Sequence, residues 1–460
     1  QSPKPSERSE CPALEVPQNM TPAARLSAAI EILEAIDAAD TAADSIIRAY
    51  FRPRRYAGSK DRRSVGNRVF DVIRHRTRLD WWIAGAAGDM QPSARLRVLA
   101  SILLLDGETS PGVHSLFDGT AHSPSPLGAD EQQLVENLAA KPLLHDAMPQ
   151  GVVHEVPEWL DKPFQSLWDE RYAAEMTALN DAAPVDIRVN LGRVSRGQAQ
   201  KSLSIDHIKT TTAALSPAGL RLVERARLEE TRAFKKGLIE VQDEGSQLIA
   251  LLCEAKPGMT VIDYCAGGGG KTLALADAMG MQGGASGEGQ LIACDVSTKR
   301  LSGLEERVKR AGATTIQQLV LDDEAAVAKL KDKADRVLID APCSGIGAWR
   351  RHPEARWRLT QARLDRHVAD QQKILNAAAK MVKPGGRLIY ATCSLLTEEN
   401  EAQVEAFLGQ HDDFTALPIT DIWGKIIPGP CPSATSGLRL SPADTDTDGF
   451  FCAVMERKSI

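Results

Sequence analysis

Five short apolar runs, at residues 260–263, 291–295, 316–321, 336–339 and 387–391, alternate with helical stretches in the C-terminal half of the chain. Each is of strand length, and each stops abruptly at polar residues. Strands alternating with helices predict an α/β fold, a doubly wound sheet covered on both faces. In such a sheet ligands bind in the crevice beyond the carboxyl ends of the strands. The residues that follow each run are therefore the ones that face a ligand.

Those residues are rich in chemistry. The fourth run ends in Asp340-Ala341-Pro342-Cys343-Ser344-Gly345, and the fifth in Thr392-Cys393-Ser394. The first empties into Tyr264-Cys265-Ala266-Gly267-Gly268-Gly269-Gly270-Lys271-Thr272. Glycines after a first strand let the backbone approach a cofactor and turn tightly into a helix. The segment is not a P-loop, because Cys265 stands where that pattern needs glycine. It is not the dinucleotide GxGxxG either, since its third glycine position falls on Thr272 or Leu273. The second run ends on Asp295, placed to accept hydrogen bonds from both ribose hydroxyls of an adenosine. The third runs out into Asp322-Asp323, either of which could reach an adenine amine. Such acids also serve as helix N-caps, but three around one glycine loop favour adenosine. Adenosine binding without a phosphate loop points to S-adenosylmethionine. A lone cysteine is by default a small buried hydrophobe, the reading given to Cys253 and Cys294. Two thiols and a carboxylate at strand ends favour a catalytic role instead.

The eight cysteines lie far apart with no CxxC pair, so no metal site is expected and the thiols read as reduced. No run is apolar enough to span a bilayer and the start lacks a secretory signal, so a cytoplasmic protein is expected. A chain opening on Gln1 rather than Met reads as a truncated chain or a fragment. The net charge of −6 argues weakly against nucleic acid, but its distribution argues the other way. Between Arg48 and Arg78 there are eleven Lys/Arg against Asp61 and Asp71, with Arg54, Arg55, Arg62 and Arg63 at the centre. Between Trp349 and Arg366 six Arg, led by Arg350 and Arg351, face Glu354 and Asp365. Both are local basic footprints: the first reads either as a solvated helical face or, with acids so scarce there, as an RNA-phosphate footprint, and Arg350 and Arg351 of the second are read as RNA-binding.

Upstream of the sheet, residues 1–19 are Ser/Pro/Glu-rich and expected to be disordered. Residues 20–150 read as one all-α domain. Thr21-Pro22 opens a helix. Leu26, Ala29, Ile30, Leu33 and Ile36 follow at helical spacing, and Val65, Val69, Val72 and Ile73 form another apolar face. Further helices are predicted at 79–87, 94–105 and 131–140, with a turn-rich stretch at 107–130. Residues 151–240 read as a helical linker and a small α+β, RRM-like connector. The last domain covers 241–460.

Taken together, these motifs resemble the RNA 5-methylcytosine methyltransferases, most closely the bacterial small-subunit ribosomal branch. The resemblance rests on residues 264–271, 340–345 and 390–394 and on Arg350-Arg351-His352-Pro353-Glu354. Val241-Gln242-Asp243-Glu244 and Asp448-Gly449-Phe450-Phe451 match more weakly. The helical N-terminal region is similar to the NusB-like RNA-binding domain of that branch. The resemblance implies a Rossmann-like fold and transfer of a methyl group from S-adenosylmethionine to carbon 5 of a cytosine, in 16S ribosomal RNA. Cys265, Ala266, Gly267, Gly268, Gly269, Gly270, Lys271, Asp295, Asp322 and Asp340 would bind the cofactor. Cys393 would be the nucleophile, Cys343 would assist product release, and Lys271 and Asp340 would also contact the base. Carbon 5 of cytosine is too poor a nucleophile to take a methyl group unaided. A thiolate adding at carbon 6 makes it enamine-like, and Asp340, if protonated, could supply a proton to the ring edge. The family usually carries Ala-Pro where this chain has Gly267-Gly268, so the loop should be more flexible. Transfer RNA is an alternative substrate. A DNA cytosine methyltransferase, a dithiol redox enzyme and a non-catalytic RNA-binding scaffold are the competing readings.

Overall fold

A computed structural model of the chain describes residues 20–86, 90–282, 288–322, 324–433 and 436–459. The expected disordered tail 1–19, Ala87, Asp323 and residues 283–287 of the Gly-rich loop lie outside the described residues. Two compact units divide at Pro163 and Phe164.

The first unit is all-α. Thr21 caps the helix Pro22–Ala38, its Oγ1 accepting from the Ala24 N–H at 3.1 Å. That helix buries Leu26, Ala29, Ile30, Leu33 and Ile36, and Ser59–Arg74 buries Val65, Val69, Val72 and Ile73. Full burial of such side chains stabilises by about 1.5–3 kcal/mol each. Helices Arg76–Ala86, Ala94–Leu104 and Ala129–Leu138 complete the core. The turn-rich stretch also holds a helix, Ser110–Leu116, because Thr109 accepts from the Gly112 N–H and Pro111 suits the first turn. The unit continues past residue 150. Glu155, fully buried, accepts from the Thr77 N–H at 2.8 Å and from Arg78 Nε at 2.7 Å, which ties its segment to the Arg76–Ala86 helix.

The second unit contains two sheets. The smaller is antiparallel, with strands β1 (Asp186–Val189), β2 (Thr210–Thr212), β3 (Gly219–Leu222) and β4 (Ile239–Val241) in the order β2-β3-β1-β4. Ile187, Val189, Leu220, Leu222 and Ile239 pack there against Ala199 and Leu203 of the helix Arg196–Ile205.

The larger sheet takes β5 (Thr260–Asp263), β6 (Gln290–Asp295), β7 (Gln317–Val320), β8 (Ala334–Asp340), β9 (Val382–Thr392), β10 (Phe414–Leu417), β11 (Leu438–Leu440) and β12 (Phe450–Arg457). Its order is β10-β12-β9-β8-β5-β6-β7, with β11 beside β12. The five predicted strands pair in parallel. β10, β11 and β12 add antiparallel pairs on the β9 side, which the alternating pattern did not predict. From β5 the chain builds outward through β6 and β7, then returns to place β8 and β9 on the other side. β5 and β8 thus flank the topological switch point, where a ligand crevice opens.

Candidate active site

The crevice is built on the loop after β5. Asp263, the last residue of β5, is fully buried. Thr272 Oγ1 donates to its Oδ2 at 2.6 Å, while Oδ1 has no hydrogen-bond partner among the described residues. Burial pushes this carboxyl up to about 7, with the nearby Asp340 charge adding to the shift and the Thr272 bond opposing it. Past it, the backbone turns through Gly267 (φ +53°) and Gly269 (φ +77°) into the helix Gly270–Ala278. A Cβ on Gly269 would stand 2.0 Å from Leu304 Cδ1, so only glycine fits there. Asp295 at the end of β6 holds the turn: its Oδ2 accepts from the Gly267 N–H at 3.0 Å and its Oδ1 from the Ser297 N–H at 2.8 Å.

Lys271 enters the crevice from the first turn of that helix. Its Nζ donates to Asp340 Oδ2 at 2.6 Å and sits 5.2 Å over the Phe450 ring. Burial alone would depress the ammonium, but the Asp340 carboxylate more than offsets it and the Lys271 pKa is raised. A cavity of about 430 Å³ opens beside this pair, lined by Asp263, Cys265, Gly268 and Lys271 on one wall and by Gln242, Asp243 and Arg351 on the other.

The thiols come together because β8 and β9 are parallel neighbours, with Asp340 opposite Ala391. Both chains leave the sheet at one level, and Cys343 Sγ lies 3.4 Å from Cys393 Sγ, neither in a disulfide. The hydrogen bond to Cys393 pushes the Cys343 thiol well up, and burial and the nearby Glu399 add to it. Cys253 and Cys294 are fully buried, as small apolar side chains are.

Glu399 and Asn400, which the sequence reading missed, hold the two thiol loops by hydrogen bonds. Both are fully buried. The Glu399 carboxylate accepts from the Ser344 N–H (2.8 Å), the Ser344 hydroxyl (2.5 Å) and Gln371 Nε2 (3.1 Å). Gln371 also donates to the Pro342 carbonyl at 2.9 Å. Asn400 Oδ1 accepts from Thr392 Oγ1 at 2.5 Å, and its Nδ2 donates to the Ser394 carbonyl at 3.0 Å. Adjacent residues therefore fasten the Cys343 loop and the Cys393 loop separately. Their only signal in the sequence is the acidic run Glu398-Glu399-Asn400-Glu401 a few residues past Cys393, which resembles a solvated surface.

The remaining candidates divide. Asp322 is exposed just beyond β7. Arg55, Arg62 and Arg63 are exposed, and Arg54 lies 3.7 Å over the Tyr50 ring. Arg68, Arg76 and Arg78 of the same cluster are paired with Asp106, Asp37 and Glu155, so its net positive field is smaller than its residue count. Arg350 is a correction. It is only 3 % exposed, its Nε donates to Asp448 at 3.0 Å and its Nη1 to Asp446 at 3.2 Å. A guanidinium so held presents no face to an RNA phosphate. Arg351 also binds Asp448, and Asp243 at 2.8 Å, but it lines the cavity.

A twisted, largely parallel sheet, a glycine loop after its first strand and acids at the following strand ends define a Rossmann-like, S-adenosylmethionine-dependent methyltransferase. The site fits that cofactor: the unpartnered Asp263 oxygen suits an α-ammonium, and the Cβ-free turn leaves room for backbone approach. The family model for 16S rRNA methyltransferase RsmB/F matches residues 250–456, and that for the RsmF/B-like ferredoxin-like domain matches 156–229. A probable ribosomal RNA small subunit methyltransferase B of Synechocystis is 35% identical over 311 residues, 67% of this chain and 68% of that protein. Ribosomal RNA small subunit methyltransferase B of Xanthomonas campestris is 28% identical over 408 residues, 87% of this chain and 90% of that one. The crystal structure of PH0851 superposes with a TM-score of 0.76 at 25% identity, covering 95% of this chain and 99% of its own. The chain belongs to the RsmB/F family of ribosomal RNA small-subunit methyltransferases. Among the described residues no helix is long and apolar enough to cross a membrane.

Proposed function

We propose that the protein methylates carbon 5 of a cytosine in RNA, that of the small ribosomal subunit, through a covalent bond between Cys393 and the base. The observation that carries this reading is the pair of sulfurs 3.4 Å apart, next to the Lys271–Asp340 ion pair. S-adenosylmethionine, when bound, supplies the electrophilic methyl group, and Asp263, Asp295, Asp322 and residues 265–271 would hold it. Cys393 adds as thiolate to carbon 6 of the cytosine. The ring electron pair moves towards carbon 5, the Lys271 ammonium stabilises the negative charge that develops at N3, and the Asp340 carboxylate holds that ammonium and can accept from the cytosine amine. Carbon 5, made nucleophilic by the addition, would take the methyl group that the bound cofactor supplies, leaving the cofactor sulfur as a neutral thioether. A base then removes the carbon 5 proton, the carbon 5–carbon 6 double bond re-forms, and the Cys393–carbon 6 bond breaks to return the thiolate.

The resting hydrogen bond between the thiols gives each a distinct part. A Cys343 S–H donated to Cys393 stabilises sulfur as the attacking anion. Once Cys393 is bonded to carbon 6, the main cause of the raised Cys343 pKa is gone. Cys343 can then pass its own proton to water and, as the thiolate, take the carbon 5 proton. The target base must be unpaired or flipped out, which single-stranded or looped RNA supplies.

We assign RNA capture to the all-α unit as a NusB-like domain, with Arg54, Arg55, Arg62 and Arg63 on phosphates, and to Arg351 beside the site. The small antiparallel sheet serves as the connector, and the cytoplasm is the expected compartment. Purified protein is incubated with methyl-labelled S-adenosylmethionine and small-subunit RNA, transfer RNA or DNA, and the product is mapped by bisulfite sequencing. Label confined to a cytosine of the small-subunit RNA supports the reading. Label in transfer RNA or DNA alone, or on another base, refutes it.

A further inference from the structure

We propose that Arg307, anchored on Glu240 of the small sheet, is a positioning residue that gives the four-glycine cofactor loop its shape. Four successive glycines carry no conformational preference, and each loses more backbone freedom on ordering than any other residue. The loop needs external constraints: Asp295 supplies one at the Gly267 N–H, and Arg307 supplies another at the Gly268 carbonyl. Arg307, on the helix Thr298–Ala311, donates from Nη1 to the Gly268 carbonyl at 2.5 Å. Its other donors are held by Glu240 Oε2, at 3.2 Å from Nε and 3.0 Å from Nη2. Glu240 is 2 % exposed, lies on β4 and also accepts from Arg310 Nη2 at 2.6 Å. The guanidinium is therefore fixed at both ends before any ligand arrives, and it lines the cofactor cavity.

The anchor belongs to a larger brace. The Leu191 and Gly192 N–H groups donate to Asp277 at 2.9 and 2.8 Å, so the small-sheet domain also grips the helix that the glycine loop opens. Arg193 Nη1 donates to the Arg310 carbonyl at 3.2 Å, at the far end of the Arg307 helix. Both helices that flank the loop are thus tied to one neighbouring domain. Position 268 is a glycine here, and an ion pair reaching in from β4 holds its carbonyl. A consequence is that cofactor affinity depends on the small sheet, although no residue of that sheet need touch the cofactor.

The inference rests on cofactor binding and not on which RNA atom is methylated, so it is tested without RNA. Calorimetry gives the affinity of Arg307→Met and Glu240→Gln for S-adenosylmethionine. Hydrogen exchange follows residues 264–271 in the cofactor-free proteins. Loss of one charge-assisted hydrogen bond should weaken binding about tenfold in Arg307→Met, and by a smaller factor in Glu240→Gln, where the arginine remains. Exchange in the loop should quicken in both while the rest of the sheet keeps its protection. Affinity within twofold of the parent in both variants would overturn the proposal. So would weakened binding with unchanged loop exchange, since Arg307 would then be touching the cofactor itself.

Discussion

Replacing Glu399 by alanine should loosen the thiol pair without removing either thiol. The carboxylate satisfies three donors: the Ser344 N–H, the Ser344 hydroxyl and Gln371 Nε2. Two of them have a second partner, since Ser344 Oγ lies 3.2 Å from Ser394 Oγ and Gln371 keeps the Pro342 carbonyl at 2.9 Å. The Ser344 N–H is left without one. An orphaned buried donor costs about 1–3 kcal/mol, and the lost charge-assisted bonds add about one more. The total is about 2–4 kcal/mol, a fall in melting temperature of roughly 3–6 °C for a unit of this size. Glu399→Gln keeps an acceptor for the Ser344 N–H and turns an amide donor towards a hydroxyl that can accept, so it should cost about half as much. In methyl-transfer assays the alanine variant should lose about tenfold or more, because a thiol freed from its loop no longer holds attack geometry. Scanning calorimetry measures the first quantity and labelled-methyl incorporation the second. An alanine variant that melts with the parent and turns over normally would refute the claim that Glu399 fixes the Cys343 loop.

Cys393→Ala should form no covalent protein–RNA species, whereas Cys343→Ala should accumulate an adduct that survives denaturing electrophoresis; the reverse pattern would exchange their roles. Asp263 carries a pH prediction. Its pKa is raised to about 7, so its contribution to the stability of the cofactor-free protein is full below the ordinary carboxyl value and is lost as pH rises through about 7. The ionised form is the one that attracts an α-ammonium, so affinity for S-adenosylmethionine should climb between about pH 6 and 8. Both trends should flatten in Asp263→Asn, followed by melting curves and calorimetry across pH. Changing Arg54, Arg55, Arg62 and Arg63 together to Glu should weaken RNA binding and reduce the slope of affinity against salt, with cofactor affinity unchanged. Equal binding across a salt series would remove that surface from the RNA path.

Much of the catalytic sheet was legible because its information is local. An apolar run, an abrupt polar end and a glycine loop identify β5 to β9 and the side chains that leave them, within a few residues of each signal. What escaped depends on distance. Glu399 finds its Ser344 partner 55 residues upstream, and nothing in an acidic run tells that one member will be fully buried. Asp263 reads as the end of a strand; that its carboxyl loses water follows only from the strands placed on either side. Arg350 counted as a free charge because its partners, Asp446 and Asp448, lie nearly a hundred residues downstream. The apolar residues of β12 were visible, but its insertion antiparallel between β9 and β10 is a choice of topology and not of propensity.

The competing readings make different demands on the same atoms. A dithiol redox enzyme needs the sulfurs near each other, and 3.4 Å would serve it. It has no use for a lysine buried beside them on an aspartate at 2.6 Å, or for a glycine at φ +77° opposite Leu304. A binding scaffold needs neither thiol. It would have no reason to bury the Asp263 carboxyl, whose Oδ1 has no partner among the described residues, at a cost of about 1–3 kcal/mol. A DNA-type enzyme would attack with Cys343, the sulfur next to Pro342. In the proposed reading that thiol is the donor to Cys393, and the neighbouring thiol, burial and Glu399 push its pKa up. The proposed reaction, with one attack and one elimination, uses both sulfurs, the ion pair and the strand-end acids at once. The proposed order of the two sulfurs is the one in which Cys343, its pKa raised, stays protonated while Cys393 attacks.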